Sequence, residues 1–301
     1  MRKTRLIAAL SLAAAAAVAL TGCNSGTPGA ETSVVAPDEE TVWFTVADPK
    51  PEVADSPTVA AITERGTVKV GVKEDQPNLG YLDPTTGERS GFDVDIARWV
   101  AASLGYDEED IEFTAIDSAN REQSIINGDI DYYVGTYSIT DKRKEQISFA
   151  GPYFVTGQGL LVAADSDITG KDDLTADTVV CSVTGSTSIE RIKTETEAEP
   201  VELSKYSECV DQLKNGQVDA VTTDEAILIG YAAQDPDNLK VVGEPFSEER
   251  YGIGIKKDDT AFVEFVNTML TDGGDIWTAI FEKNLGAAGV EGTQPEVDPV
   301  G

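Results

Sequence analysis

Residues 118–143 read SANREQSIINGDIDYYVGTYSITDKR, and the fold is read outward from them. Ser118 is placed to cap a helix, residues 121–126 read as a short one, and Asn127-Gly128 supplies a left-handed stop. Residues 130–134 form an apolar run of strand length with Asp131 at its entrance. Small hydroxyls come next, Thr136, Ser138 and Thr140, and then Arg143. A strand end that delivers hydroxyls, free N–H groups and an arginine makes a carboxylate site. The guanidinium fork matches two carboxylate oxygens, and the other donors complete their lone pairs.

A near-copy of this stretch begins 88 residues later. Asn215-Gly216-Gln217-Val218-Asp219 repeats Asn127-Gly128-Asp129-Ile130-Asp131. The position five past the shared aspartate is Thr136 in the first copy and Asp224 in the second. Residues 178–183 (TVVCSV) likewise parallel residues 67–72 (TVKVGV), at an offset of 111. Two similar modules with different chemistry at one spot predict two lobes facing one ligand. One lobe offers an arginine and the other an aspartate, a pair that suits a zwitterion such as an amino acid. Residues 184–188 (TGSTS) join the second strand to a helix over residues 189–194. That turn either offers N–H groups to an anion or is an ordinary capped helix start.

Composition narrows the function further. The 301 residues carry a formal net charge of −31 and no histidine. Such acidity argues against nucleic acid and against charge-driven binding to anionic membranes. The missing histidine removes the usual general base and the commonest metal ligand, which weighs against an enzyme without excluding one. No cofactor, metal or catalytic residue is expected. Asp93 and Asp95 read as acidic residues in the first turn of a helix, where the dipole favours them, rather than as a metal pair.

Arg2, Lys3 and Arg5 precede an apolar run over residues 6–20, and Leu20-Thr21-Gly22-Cys23 comes directly after it. Residues 1–22 therefore read as a secretory signal. The cysteine resembles the bacterial lipoprotein box, which implies cleavage before Cys23, a lipid on its thiol and a place on the extracellular face of the cell membrane. Cys181 and Cys209 then remain as an even pair in an exported chain, either a disulfide or two buried thiols. Residues 23–57 read as a tether, with residues 42–44 an apolar island able to dock on the body. Lobe 1 is expected over 58–157 plus 250–286, lobe 2 over 158–249, and a flexible tail over 287–301.

This organisation resembles the solute-binding proteins of polar amino acid ABC importers, over roughly residues 58–285. Two stretches carry the likeness: Gly91-Phe92-Asp93-Val94-Asp95-Ile96 with the apolar spacing after it, and Ser138-Ile139-Thr140 followed by Lys142-Arg143. The resemblance implies an α/β, two-lobe periplasmic-binding-protein-like fold of type II, with the ligand in the cleft. It also implies a monomeric, non-enzymatic protein whose partners are permease subunits. Ser118-Ala119-Asn120-Arg121 resembles the glutamate/aspartate branch. By that likeness Arg143 takes the α-carboxylate with Thr136, Ser138 and Thr187, and Asp224 takes the α-ammonium. Thr184 and Thr187 match the branch's hydroxyl pair. Ser118 and Arg121 take the side-chain carboxylate, with Lys73 as a second basic group and Tyr206 as a further polar contact. Lysine at 73 and tyrosine at 206 depart from the branch, so its side-chain end is the less defined. The expected ligand is L-glutamate or L-aspartate. Another polar amino acid such as glutamine, a dehydratase-like enzyme and a sensor input domain are the alternatives.

Overall fold

Two five-stranded sheets carry the chain, and in each a parallel unit of three strands has its first strand between its second and its third. The computed structural model describes residues 44–300. The signal, Cys23 and the start of the tether lie outside the described residues. In the first sheet Ile111–Ala115, Val68–Val72, Tyr132–Tyr133, Glu249–Ile255 and Ser148–Thr156 lie side by side. Val68–Val72 is parallel to both its neighbours, while Glu249–Ile255 is antiparallel to both of its own. The second sheet runs Glu199–Leu203, Val179–Val183, Ala220–Asp224, Gln158–Ala163, Leu239–Val242, with the same pattern of directions. The antiparallel strand of each sheet is the one that carries the chain between lobes. Gln158–Ala163 takes it out and Glu249–Ile255 brings it back.

The repeated aspartates explain why the two sheets match. Asp131 donates its N–H to the Lys69 carbonyl at 2.7 Å, and its carboxylate accepts the Lys69 N–H at 2.7 Å. Asp219 makes the same two bonds to Val179, at 2.8 and 2.7 Å. Each aspartate thus pins the entrance of one parallel strand onto its neighbour. These bonds equate Lys69 with Val179, an offset of 110 rather than the 111 that the bare sequences give. A one-residue difference turns every side chain to the other face, so the ladder and not the letter match decides the register.

Phe92–Ser103 is the helix expected after Gly91. Gly91 has φ +117, and a Cβ there would stand 2.2 Å from the Leu79 carbonyl oxygen, so only glycine fits. Phe92, Ile96, Val100 and Leu104 all enter the core. Phe92 sits among the rings of Tyr153, Phe154, Trp277 and Phe281. Cys181 and Cys209 form a disulfide that joins Val179–Val183 to the Tyr206–Lys214 helix inside the core. No helix among the described residues is long and apolar enough to cross a membrane.

Both terminal segments depart from expectation. Residues 287–300 are not a loose tail. Val290, Val297 and Val300 pack on the core, the Asp298 N–H reaches the Gly151 carbonyl at 2.8 Å, and its carboxylate pairs with Arg250 at 2.7 Å. Valines scattered among prolines and acids show no periodicity, so their burial left no trace in the pattern. The tether also ends early. Phe44 and Val53 lie against the core, Ala47 N–H bonds the Ala102 carbonyl at 2.9 Å, and the Lys50 ammonium stands 3.2 Å over the Tyr106 ring.

Candidate ligand-binding site

The parallel strands of both sheets end at one small cavity, the place where open α/β sheets receive ligands. Ser118, Arg121, Thr136, Ser138, Arg143, Thr187, Tyr206 and Asp224 line it, joined by Ser186 and Ser188. Lys73 and Thr184, also expected there, are not among the lining residues. Thr184 is exposed, and its N–H is engaged by the Leu203 carbonyl at 3.0 Å. The turn presents its next two serines instead. Ser186 caps the Thr187–Glu195 helix by accepting the Ile189 N–H at 3.0 Å, which fixes which hydroxyls face inward.

Lys73 is buried behind Ser118, and its ammonium donates to the Ser118 hydroxyl at 2.8 Å. Burial pushes Lys73 down to about 7, and Arg121 acts in the same direction. It therefore bears on the cavity through Ser118 rather than by reaching it.

Arg121 begins the helix Arg121–Asn127, and Arg143 lies in the single turn Asp141–Lys144 that Thr140 caps. Both guanidiniums lie over the Tyr137 ring, at 4.2 and 5.0 Å from its centre. Arg143 donates to the Ser138 carbonyl at 2.6 Å and faces the Glu122 carboxylate at 3.4 Å. Burial pulls Arg143 down to about 10, with the Arg121 charge second. Two buried guanidiniums side by side, with the Glu122 and Glu249 carboxylates acting on Arg143, make a corner of convergent donors suited to an anion.

Thr136 comes after the Tyr132–Tyr133 strand with a left-handed φ of +46, uncommon for a β-branched residue. Asp93 holds it there, accepting the Thr136 N–H at 2.9 Å and the Tyr153 hydroxyl at 2.8 Å. Asp93 is fully buried, and burial raises it to about 6. Asp95 pairs with Arg98 at 3.0 Å, and no group of three or more acidic or cysteine side chains placed to hold a metal occurs among the described residues.

Asp224 ends its strand on the opposite wall. One carboxylate oxygen accepts the Tyr251 hydroxyl at 2.7 Å, and the other is buried with no hydrogen-bond partner. Burial pushes Asp224 up to about 7, with Glu249 adding to the rise and Tyr251, Arg143 and Arg121 opposing it. A buried carboxylate oxygen without a donor is unfavourable, and an incoming ammonium removes the penalty.

The lobes meet around this cavity. Arg121 and Arg143 both reach across to the Gly185 carbonyl, at 3.2 and 3.0 Å. At the rim Lys205 pairs with Glu74, and the Ser207 N–H donates to Asp75 at 3.1 Å. Sequence reasoning missed Ser186, Ser188, Asp93 and Tyr251. The serines lay inside a stretch already singled out for anions. Nothing in the local pattern marked the other two, because their partners are 43 and 27 residues away.

The profile of the bacterial extracellular solute-binding proteins, family 3, matches residues 68–286. The chain belongs to this family. A glutamate-binding protein of Corynebacterium efficiens is 40% identical to this solute-binding protein over 278 residues, covering 89% of this chain and 85% of its own. A glutamine-binding protein of an ABC transporter in Bacillus subtilis is also 40% identical, over 71% of this chain and 78% of its own. Among solved structures, an ancestral arginine-binding protein bound to arginine superposes with a TM-score of 0.68 at 34% identity, covering 74% of this chain and 99% of its own. The two-lobe architecture is the type II periplasmic-binding-protein fold, and the relatives are binding proteins for polar amino acids.

Proposed function

We propose that this solute-binding protein captures glutamate, with aspartate as a second ligand, and delivers it to the permease of an ABC importer. One observation carries the reading: the unpartnered oxygen of Asp224 faces the cavity from one lobe, and the paired guanidiniums of Arg121 and Arg143 face it from the other. An acidic amino acid has one ammonium for the first and two carboxylates for the second. Arg143 takes the α-carboxylate, with Thr136, Ser138 and the backbone N–H of Thr187 completing its lone pairs, the Thr187 hydroxyl being donated to Glu249 at 3.0 Å. Arg121 and Ser118 take the side-chain carboxylate, with Lys73 bracing Ser118 from behind. Tyr206 closes the wall.

The chain works as a monomer anchored by a lipid on Cys23, outside the cell membrane. Its lobes, residues 58–157 plus 250–286 and residues 158–249, turn about the two crossing segments. Differential contact of the ligand with both lobes drives closure. Glutamine is the second reading, favoured by the Bacillus subtilis relative of equal identity. Calorimetry of protein unfolded, dialysed and refolded without ligand, against the twenty amino acids, tests the assignment. Saturable binding strongest for glutamate is expected. Strongest binding of glutamine moves the assignment to the second reading, and no binding overturns both. Cys23→Ser is expected to release the protein from the membrane fraction; unchanged fractionation removes the anchor.

A further inference from the structure

Tyr251 lies on the Glu249–Ile255 strand that returns the chain to the first lobe. It is wholly buried, and its ring packs beside those of Tyr153 and Phe154, with centroids at 6.1 and 5.8 Å. Its backbone pairs with Ser138, so it is fixed to the ligand-facing segment of its own lobe. Only the hydroxyl crosses the cleft, to one oxygen of Asp224 at 2.7 Å. The other Asp224 oxygen is left buried and alone.

We propose that Tyr251 is a positioning residue for ligand recognition: from the opposite lobe it engages one oxygen of Asp224 and keeps the group a carboxylate whose second oxygen receives the ligand's ammonium. The inference rests on the cavity being an amino acid site. The surroundings explain why such a donor is needed. Glu249 is a second carboxylate near Asp224 and favours its protonation, while Arg143 and Arg121 oppose this from the cationic corner. Tyr206 faces Asp224 from the Tyr206–Lys214 helix, and Asp93 and Tyr153 stand behind Tyr251. Burial, together with the Asp224 and Asp93 carboxylates, raises the Tyr251 phenol well above its ordinary value, so it stays a donor at any working pH. A protonated Asp224 would offer the ammonium no charge. A phenol donor stabilises the charged form without adding a cation that would repel the ligand. Because the bond spans the lobes, it ties the charge of Asp224 to the way the two lobes meet.

The test is glutamate binding by calorimetry as a function of pH, in the wild type and in Tyr251→Phe. Removing the donor raises the Asp224 carboxyl by about one pH unit, since a bond to a charged group is lost. At about pH 6 the variant is expected to bind roughly tenfold more weakly than the wild type. At about pH 9, where Asp224 is ionised in both, the two should agree within about threefold. Site-specific 3-fluorotyrosine at position 251 keeps the shape and strengthens the donor, so it should shift the acid limb of the profile the opposite way. A loss of equal size at both pH values marks a merely structural tyrosine and overturns the inference, as does a fluorotyrosine profile unmoved or moved in the same direction as that of Tyr251→Phe. Absence of amino acid binding by the wild type overturns the underlying reading instead, and this inference with it.

Discussion

Arg121 and Arg143 donate to one and the same oxygen, the carbonyl of Gly185 in the opposite lobe, at 3.2 and 3.0 Å. Two guanidiniums that share an acceptor are neighbours, so the cavity has one cationic corner rather than two separate basic ends. Arg143→Ala then leaves a ligand carboxylate buried beside a single guanidinium. Losses of this kind run to about 3–5 kcal/mol, or on the order of a hundred- to several-thousand-fold in affinity. Arg121→Met is expected to lower glutamate binding by at least about 2 kcal/mol while sparing glutamine, whose carboxamide turns an NH₂ toward donors. The glutamate-to-glutamine affinity ratio should fall by about tenfold or more. Competition binding of both ligands to each variant checks this, and an unmoved ratio takes the side-chain role from Arg121.

Asp224 sets a conflict between stability and binding. Its folded value, about 7, lies above its ordinary 3.8, so the folded state holds an extra proton between those values. Its contribution to stability is full below about pH 4 and is lost as the pH rises through 7. Asp224→Asn should therefore match the wild type in stability near pH 4. Above pH 7 the ligand-free variant should be the more stable, by on the order of 2–4 kcal/mol. It should also lose amino acid binding. Urea unfolding of both ligand-free proteins near pH 4, 6 and 8 measures the gap, and a gap independent of pH contradicts the assignment.

The lobes also meet at a contact away from the cavity. A Cβ placed on Gly230 would stand 2.6 Å from the carbonyl oxygen of Pro77 in the other lobe. Gly230→Leu wedges the rim open without touching the cavity. Overpacking of this size costs about 1–3 kcal/mol. Glutamate and glutamine should weaken by the same factor, and their ratio should stay as in the wild type. Small-angle scattering should show the ligand-induced compaction reduced. A change in the ratio would mean that the rim also shapes the site.

The Cys181–Cys209 disulfide closes a loop of sequence separation 28. Restricting the unfolded chain by a loop of that size is worth about 3.5 kcal/mol. The double variant with Cys181→Ala and Cys209→Ala should lose about that much in urea unfolding and keep its ligand affinity, since neither residue lines the cavity. Two free thiols, titrated in denaturant on protein purified without reductant, would remove the bond from the account.

The sequence by itself determined the doubled module, the strands that come after Gly66 and Asp177, the helix from Phe92, and the choice of Arg143 and Asp224 as residues that line the cavity. These are local signals: periodicity, glycine stops, and a repeated Asn-Gly-x-x-Asp with Thr136 and Asp224 five residues past its two copies. Only the tertiary structure decided what depends on distance in space. Lys73 stands behind Ser118 because the Val68–Val72 strand ends there, which no spacing reveals. Thr184 points outward and Ser186 inward because the turn's hydrogen bonds set the phase of the helix. Asp93 supports Thr136, and Tyr251 supports Asp224, across lengths of chain that carry no period. The C-terminal residues are packed because three valines find a core that other segments built. Pattern reports which face of an element is apolar; which partner covers that face is settled by long-range burial and hydrogen bonding.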